Sequence, residues 1–271
     1  MKTEELNYPS YVIHVKDFKD REKSVIRQFA SLNMPFEWVL DYDIPDIDQA
    51  VLDLYKYHGN KLRPADISCS LKHIVAWERI CAGKQEAAFV FEDDVLIDLK
   101  RFRQLAAGAI TEFYASGHEI GCISLGDGAA LHVPWTKLRR GQRLYPAEQV
   151  RMTDSYWITR KTAEMRLEWL AENGFFLPAD HLINKIDNEL GIPILWMEPT
   201  AASQGSHTGL FSSTIQNGEG GKFLDTLEWL LKKFRRTYLL PLLGVDPRKL
   251  ESALRVDLQL TDRKKISLEK R

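Results

Sequence analysis

The sequence predicts an α/β protein, a single domain with a mostly parallel central sheet flanked by helices, followed by a helical C-terminal extension. Three observations predict it. The chain opens with an apolar run, Tyr11-Val12-Ile13-His14-Val15, then a segment of helical spacing, then a second strand candidate over 36–42. Such a β-α-β opening favours parallel strands joined by a right-handed crossover. The run Ala87-Ala88-Phe89-Val90-Phe91 lacks polar alternation and suits a strand covered on both faces. That run halts in Glu92, Asp93 and Asp94, and ligands of open α/β sheets gather at the carboxyl ends of strands.

The elements follow in order. Residues 19–34 place Val25, Ile26, Phe29 and Leu32 on one helical face, and Pro35 is expected to end that helix. Residues 43–64 are polar and mixed, a loop with a short helix. Residues 68–82 form a stronger helix with Leu71, Ile74, Val75 and Cys81 inward and Gly83 near its end. Asp98 is expected to cap a helix running to about Ser116. A short buried strand over 120–125 ends in Gly126-Asp127-Gly128, and 131–150, with Pro134, Gly141 and Pro146, reads as loop. Residues 155–159 are extended, with Thr159 capping a helix closed by Asn173-Gly174. A helix over 179–190 closes at Gly191, and 194–197 is the last strand. Residues 204–221, rich in Gly, Ser and Thr, read as a flexible loop. The domain is expected over 1–217 and a basic amphipathic extension over 218–271.

The bulk numbers restrict function. The net charge of −1 gives no global field for nucleic acid. Charge is uneven, however: from Phe223 onward 12 Lys/Arg face 7 Asp/Glu, a surplus of 5. Cys69, Cys81 and Cys122 form no CxxC pair and are odd in number, which argues against a disulfide framework or zinc site and suits a reducing compartment. The N-terminus lacks the apolar core of a signal peptide, and no window offers eighteen uninterrupted apolar residues. A cytoplasmic location is therefore expected. Residues 223–240 join an apolar stripe to Lys232, Lys233, Arg235 and Arg236. Such a helix can lie at the inner face of the cytoplasmic membrane as a peripheral contact, or pack on the body or a partner.

Three adjacent carboxylates repel one another unless a cation neutralises them, and hard oxygens suit Mg²⁺ or Mn²⁺. The acids 92–94 therefore read as a seat for a divalent metal and, through it, a phosphorylated substrate; the competing reading is a solvated acidic turn.

Five segments in order over roughly 10–215 resemble glycosyltransferase family 25, which includes lipopolysaccharide and lipooligosaccharide galactosyltransferases. Tyr11-Val12-Ile13-His14-Val15 through Asp20-Arg21 resembles the family's opening. Ser68-Cys69-Ser70-Leu71-Lys72-His73-Ile74-Val75-Ala76-Trp77 resembles its Gly-Cys-x-x-Ser-His-x-x-x-Trp helix, with Ser68 for Gly and Lys72 for Ser. Glu92-Asp93-Asp94-Val95 matches its acidic motif, and Ser155-Tyr156-Trp157-Ile158-Thr159-Arg160 and Pro178-Ala179-Asp180 are similar to later elements. The resemblance implies a GT-A-like fold and a UDP-sugar donor, commonly UDP-galactose. It also implies Mn²⁺ or Mg²⁺ at the acidic motif and a lipid-linked oligosaccharide acceptor.

On that footing Asp94 is expected to bind the metal directly and Asp93 to contact ribose or metal. His207, in the Gly/Ser-rich loop, completes the metal site or is simply solvated. Asp180 is the expected base of an inverting transfer, or else an N-cap; Asp127 and Asp154 are weaker candidates. Gly126 and Gly128 around Asp127 allow close backbone approach to a donor, or only a turn. Arg21 suits a diphosphate or nucleotide contact. Trp135 is the loop aromatic expected to stack on an acceptor sugar. The competing functions are a metal-dependent nucleotidyltransferase, which lacks a GxxxxGK[ST] phosphate loop here, and a non-catalytic interaction protein on the same fold.

Overall fold

The computed structural model describes residues 6–59, 61–128, 131–205, 231 and 234–244. β1 (Ser10–Ile13) leads through α1 (Lys19–Ser31) to β2 (Glu37–Val39), which lies parallel to β1 as the opening pattern predicts. The helix closes before Pro35: Asn33 takes a left-handed conformation (φ 47°), so the turn is already made two residues earlier. α2 (Gln49–Leu54), capped by Asp48, precedes α3 (Pro64–Ala82). Then come β3 (Ala87–Glu92), β4 (Val95–Ile97), α4 (Phe102–Ala115), β5 (Cys122–Ser124), β6 (Leu144–Ala147), β7 (Ser155–Thr159), α5 (Arg160–Asn173), α6 (Ala179–Leu190), β8 (Ile194–Met197) and β9 (Ala202–Gln204).

Seven strands form one sheet in the order β2-β1-β3-β7-β5-β8-β6, and β4 pairs with β9 apart from it. β1/β2, β1/β3 and β5/β8 are parallel, while β7 runs against both β3 and β5, and β6 against β8. The α/β class and the helix-flanked central sheet expected from the sequence hold, but only three of the six strand pairs are parallel, because β7 and β6 run against their neighbours. Alternation along β3 builds the layers. Phe89 and Phe91 join Val25, Phe29, Phe102 and Phe113 from α1 and α4 on one face. Ala88 and Val90 join Leu71, Trp77, Ala163 and Ile183 from α3, α5 and α6 on the other.

Some local expectations shift. The expected loop over 131–150 contains β6, where Pro146 is tolerated because β6 is an edge strand. Asp98 caps a turn four residues ahead of α4, accepting from the Lys100 and Arg101 amides (3.2 and 3.1 Å). Thr159 caps α5 by accepting from Thr162 N, as expected. The domain boundary at 217 and most of 223–240 lie outside the described residues. Of that segment, a π-helical turn Arg235–Leu239 and helix Leu240–Leu242 are described. Among the described residues no helix is long and apolar enough to cross a membrane.

Candidate active site

The parallel register of β1 and β3 sets Ile13 beside Glu92, so the chain leaving β1 meets the acids leaving β3. At that junction opens a cavity of about 570 Å³, walled by His14 to Phe18, the start of α1, the 43–46 turn and one side of α3. Glu92, Asp93 and Asp94 line it on one side and Lys16, Arg21 and Lys72 on the others. The solvated-turn alternative fails on exposure: Asp93 and Asp94 are 5% and 3% exposed.

Each acid has a different setting. Asp93 Oδ2 takes His14 Nδ1 at 2.8 Å and the Val15 amide at 3.3 Å, and its Oδ1 takes Arg21 Nη1 at 2.7 Å. Arg21, in the first turn of α1, lies 4.7 Å over the Phe18 ring. Asp94 is turned inward at the bend before β4, and its carbonyl receives the Gly205 amide (2.7 Å), which ties the chain after β9 to the motif.

Glu92 ends a chain of hydrogen bonds. Trp77 Nε1 donates to the Tyr156 hydroxyl (3.0 Å), Tyr156 meets His73 Nδ1 (3.0 Å), and His73 Nε2 meets Glu92 Oε1 (3.4 Å). With an indole donor at one end and a carboxylate at the other, the tautomer that satisfies every hydrogen has Tyr156 donating to Nδ1 and Nε2–H donating to Glu92. Thr153 Oγ1 adds a donor at 2.5 Å to the same oxygen.

Beneath this lies Asp154, brought to Glu92 because β7 starts where β3 ends (Glu92 N to Asp154 O, 2.9 Å). Burial pushes its acid well above the ordinary carboxylate range. Ser155 Oγ opposes that shift, and Glu92, Asp127 and Asp94 add to it. Its Oδ1 is buried with no hydrogen-bond partner among the described residues. A Cβ on Gly126 would sit 2.0 Å from Asp154 Oδ2, so glycine alone lets the chain leaving β5 pass over this carboxyl.

Because the folded-state pKa is raised, burial of Asp154 favours the fold below its unfolded pKa, and that contribution is lost as pH rises through the folded value. In metal-free protein, Asp154→Asn should therefore gain thermal stability over wild type progressively from acid to neutral pH. An advantage equal at both pH values would refute the shift.

Residues 7–125 match the family model described as Glycosyltransferase family 25 (LPS biosynthesis protein). That stretch is therefore similar to glycosyltransferase family 25. A Haemophilus influenzae protein named as a candidate glycosyltransferase is 31% identical over 91 residues, 32% of each chain. The chain thus spans about a third of the curated relative it matches. Solved structures resemble the fold at low identity. A mutant Drosophila β1,4-galactosyltransferase 7 with manganese, UDP-Gal and xylobiose has TM-score 0.41 and 10% identity, covering 80% of this chain and 79% of that one. An inositol-1-phosphate CTP transferase of T. maritima has TM-score 0.40 and 12% identity, covering 84% and 97%. S. aureus TarS 1-349 has TM-score 0.39 and 13% identity, covering 84% and 72%.

The matched segment contains Arg21, Asp93 and Asp94, and the structure brings these three to one cavity. Asp127 and Asp180 lie beyond the segment and do not line that cavity. Asp127 is buried within the electrostatic reach of Arg151 and Asp154. Asp180 stands in the first turn of α6 with Pro178 as the N-cap, so its capping alternative does not hold; its Oδ1 accepts from the His181 amide (2.9 Å). It lies close enough to Cys69 that its charge, after burial and Glu92, helps raise that thiol's pKa. Trp135 is not on the cavity wall, and His207 falls outside the described residues.

His14 and Lys72 were not anticipated as site residues. His14 only reads as a strand position, and its pairing spans 79 residues. Lys72 did carry a signal, a cation inside the apolar 71–77 run. It is 1% exposed and its Nζ meets Asp43 Oδ1 at 2.8 Å and Asp41 O at 2.7 Å. Burial lowers the pKa of its ammonium, with Asp43 acting against that shift.

Proposed function

We propose that the protein transfers a sugar from a nucleotide-sugar donor to a saccharide acceptor with the aid of Mn²⁺ or Mg²⁺. The observation that carries this reading is the cavity at the carboxyl ends of β1 and β3, with buried carboxylates facing three cations. A divalent cation suits the acidic side. Several carboxyls crowd there, and a buried Asp154 oxygen has no hydrogen-bond partner among the described residues. Asp94 is the proposed direct ligand, with His207 completing the set. Asp93 already accepts from Arg21, His14 and Val15, with one bond on Oδ1 and two on Oδ2, so its larger proposed share is to aim Arg21 at the nucleotide. Asp127 keeps a proposed place on the donor side.

When bound, the cation supplies Lewis-acid stabilisation of the diphosphate. Arg21 adds charge-assisted hydrogen bonds to the same leaving group. In the proposed inverting step the acceptor oxygen bonds to the anomeric carbon as the bond from that carbon to the diphosphate breaks. Asp180 takes the acceptor's proton. The family description, LPS biosynthesis protein, supports a lipopolysaccharide acceptor, and the sequence resemblance supports a lipooligosaccharide as well as galactose from UDP-galactose. A lipid-linked acceptor places the work at the cytoplasmic face of the membrane.

Thermal unfolding with UDP, UDP-galactose and CTP, each with and without Mn²⁺, tests this. UDP-sugar at about 100 times its Kd should stabilise by about 2.7 kcal/mol, and only with metal. Protection by CTP alone would favour the nucleotidyltransferase, and no protection by any nucleotide would remove the enzyme reading.

A further inference from the structure

From Trp135 to Gly141 every residue is exposed, and two of them are large and apolar: Trp135 at 50% and Leu138 at 46%. Lys137, Arg139 and Arg140 stand among them, and no carboxylate occurs anywhere from Leu131 to Ala147. In a chain of net charge −1, this is a local concentration of positive charge around an exposed aromatic.

The exposure is not slack. The stem of the loop is fixed by buried Glu198, which accepts from the Val133 amide (3.1 Å) and pairs with Arg151 and with His132 Nδ1 (3.4 Å). Burial raises the Glu198 acid, but Arg151 and His132 outweigh it and hold the group below the ordinary carboxylate range. Leu131, Val133, Tyr145 and Trp196 pack as an apolar cluster under the stem. The Arg139 amide donates to the Tyr145 hydroxyl (2.9 Å), fixing the far side. An apolar cluster is thus at hand, yet Trp135 and Leu138 are held away from it. Beside the tip lies a second cavity of about 320 Å³, where Arg139, Gln142, Arg143 and Tyr145 supply polar groups, and the one carboxylate on its wall, Glu198, is already paired with Arg151 and His132.

We propose that the 135–141 tip docks on an anionic lipid bilayer, with Trp135 and Leu138 entering the interface and the arginines facing lipid phosphates. The chemistry follows from the pairing: an amphipathic indole and a leucine side chain favour the headgroup boundary, and flanking cations favour its negative surface. This surface differs from the 223–240 segment. Its link to the proposed reaction is only that a lipid-linked acceptor gives docking a purpose, and the test below does not depend on activity.

The test is flotation of the full chain with phosphatidylcholine vesicles, with and without phosphatidylglycerol, at low and physiological salt. Wild type should float with the anionic vesicles, more strongly at low salt. Arg139→Glu with Arg140→Glu should weaken that association by at least about 30-fold. Trp135→Ser with Leu138→Ser should weaken it by at least about tenfold. All four sites are exposed, so unfolding temperatures should stay at the wild-type value. As a second measurement, the emission difference between wild type and Trp135→Phe should shift to the blue on anionic vesicles. Failure of wild type to float, flotation unchanged in both double variants, or no blue shift each overturns the proposal. So does binding to a soluble acidic polysaccharide without binding to vesicles.

Discussion

Asp94→Asn should reduce sugar transfer by about 10³-fold or more while leaving the fold at least as stable as wild type. The magnitude follows from what the residue is proposed to do. Electrostatic stabilisation of a leaving diphosphate is worth several kcal/mol, and removing one such group commonly costs two to three orders of magnitude. The stability half follows from the crowding around it. Asp94 is one of the charges that raise the pKa of buried Asp154, after burial itself and Glu92 and Asp127, so neutralising it relieves repulsion in metal-free protein. The measurement is nucleotide release during transfer, together with the Mn²⁺-dependent gain in unfolding temperature from UDP-sugar. Activity and metal-dependent protection should vanish together as the unfolding temperature without metal stays level or rises. Retained activity in a folded variant would move the metal away from Asp94, and a fallen unfolding temperature would make the acid structural.

The sequence revealed some of this site and hid the rest, for separable reasons. β3 was legible because a strand covered on both faces needs a continuous apolar run, and its end was legible because three acids cannot belong to that core. The residue types at Arg21, Asp93 and Asp94 were legible as well. Which of them meet was not: Arg21 and Asp93 are 72 residues apart, and nothing local encodes their ion pair. Strand direction is equally silent. The apolar pattern of 155–159 marks β7 but not that it runs against β3, and that direction is what delivers Thr153 and Asp154 to Glu92. β6 was obscured by Pro146, which argues against a central strand but not against an edge. β4 and β9, three residues each, are too short for alternation to show.

Arg166→Ala should cost about 3–5 kcal/mol of folding stability. Arg166 and Asp187 are both fully buried and joined by two parallel bonds, Nε to Oδ1 at 2.8 Å and Nη2 to Oδ2 at 2.6 Å. The pair clamps α5 to α6, and truncating the arginine strands the Asp187 carboxylate in an apolar layer. The double variant Arg166→Met, Asp187→Leu, which leaves no charge behind, should recover most of the loss in urea unfolding. A single-variant cost below about 1 kcal/mol would show that the pair carries little. The clamp also bears on the site. The Arg166 guanidinium lies 5.0 Å over the Trp77 ring, and Trp77 is the residue whose indole begins the hydrogen-bond chain through Tyr156 and His73 to Glu92. The double variant should therefore fold well yet show weaker metal-dependent protection by UDP-sugar, because Trp77 has lost the cation that covers its ring. Full protection in that variant would confine Arg166 to stability alone, with the indole held by the packing of α3 against the sheet.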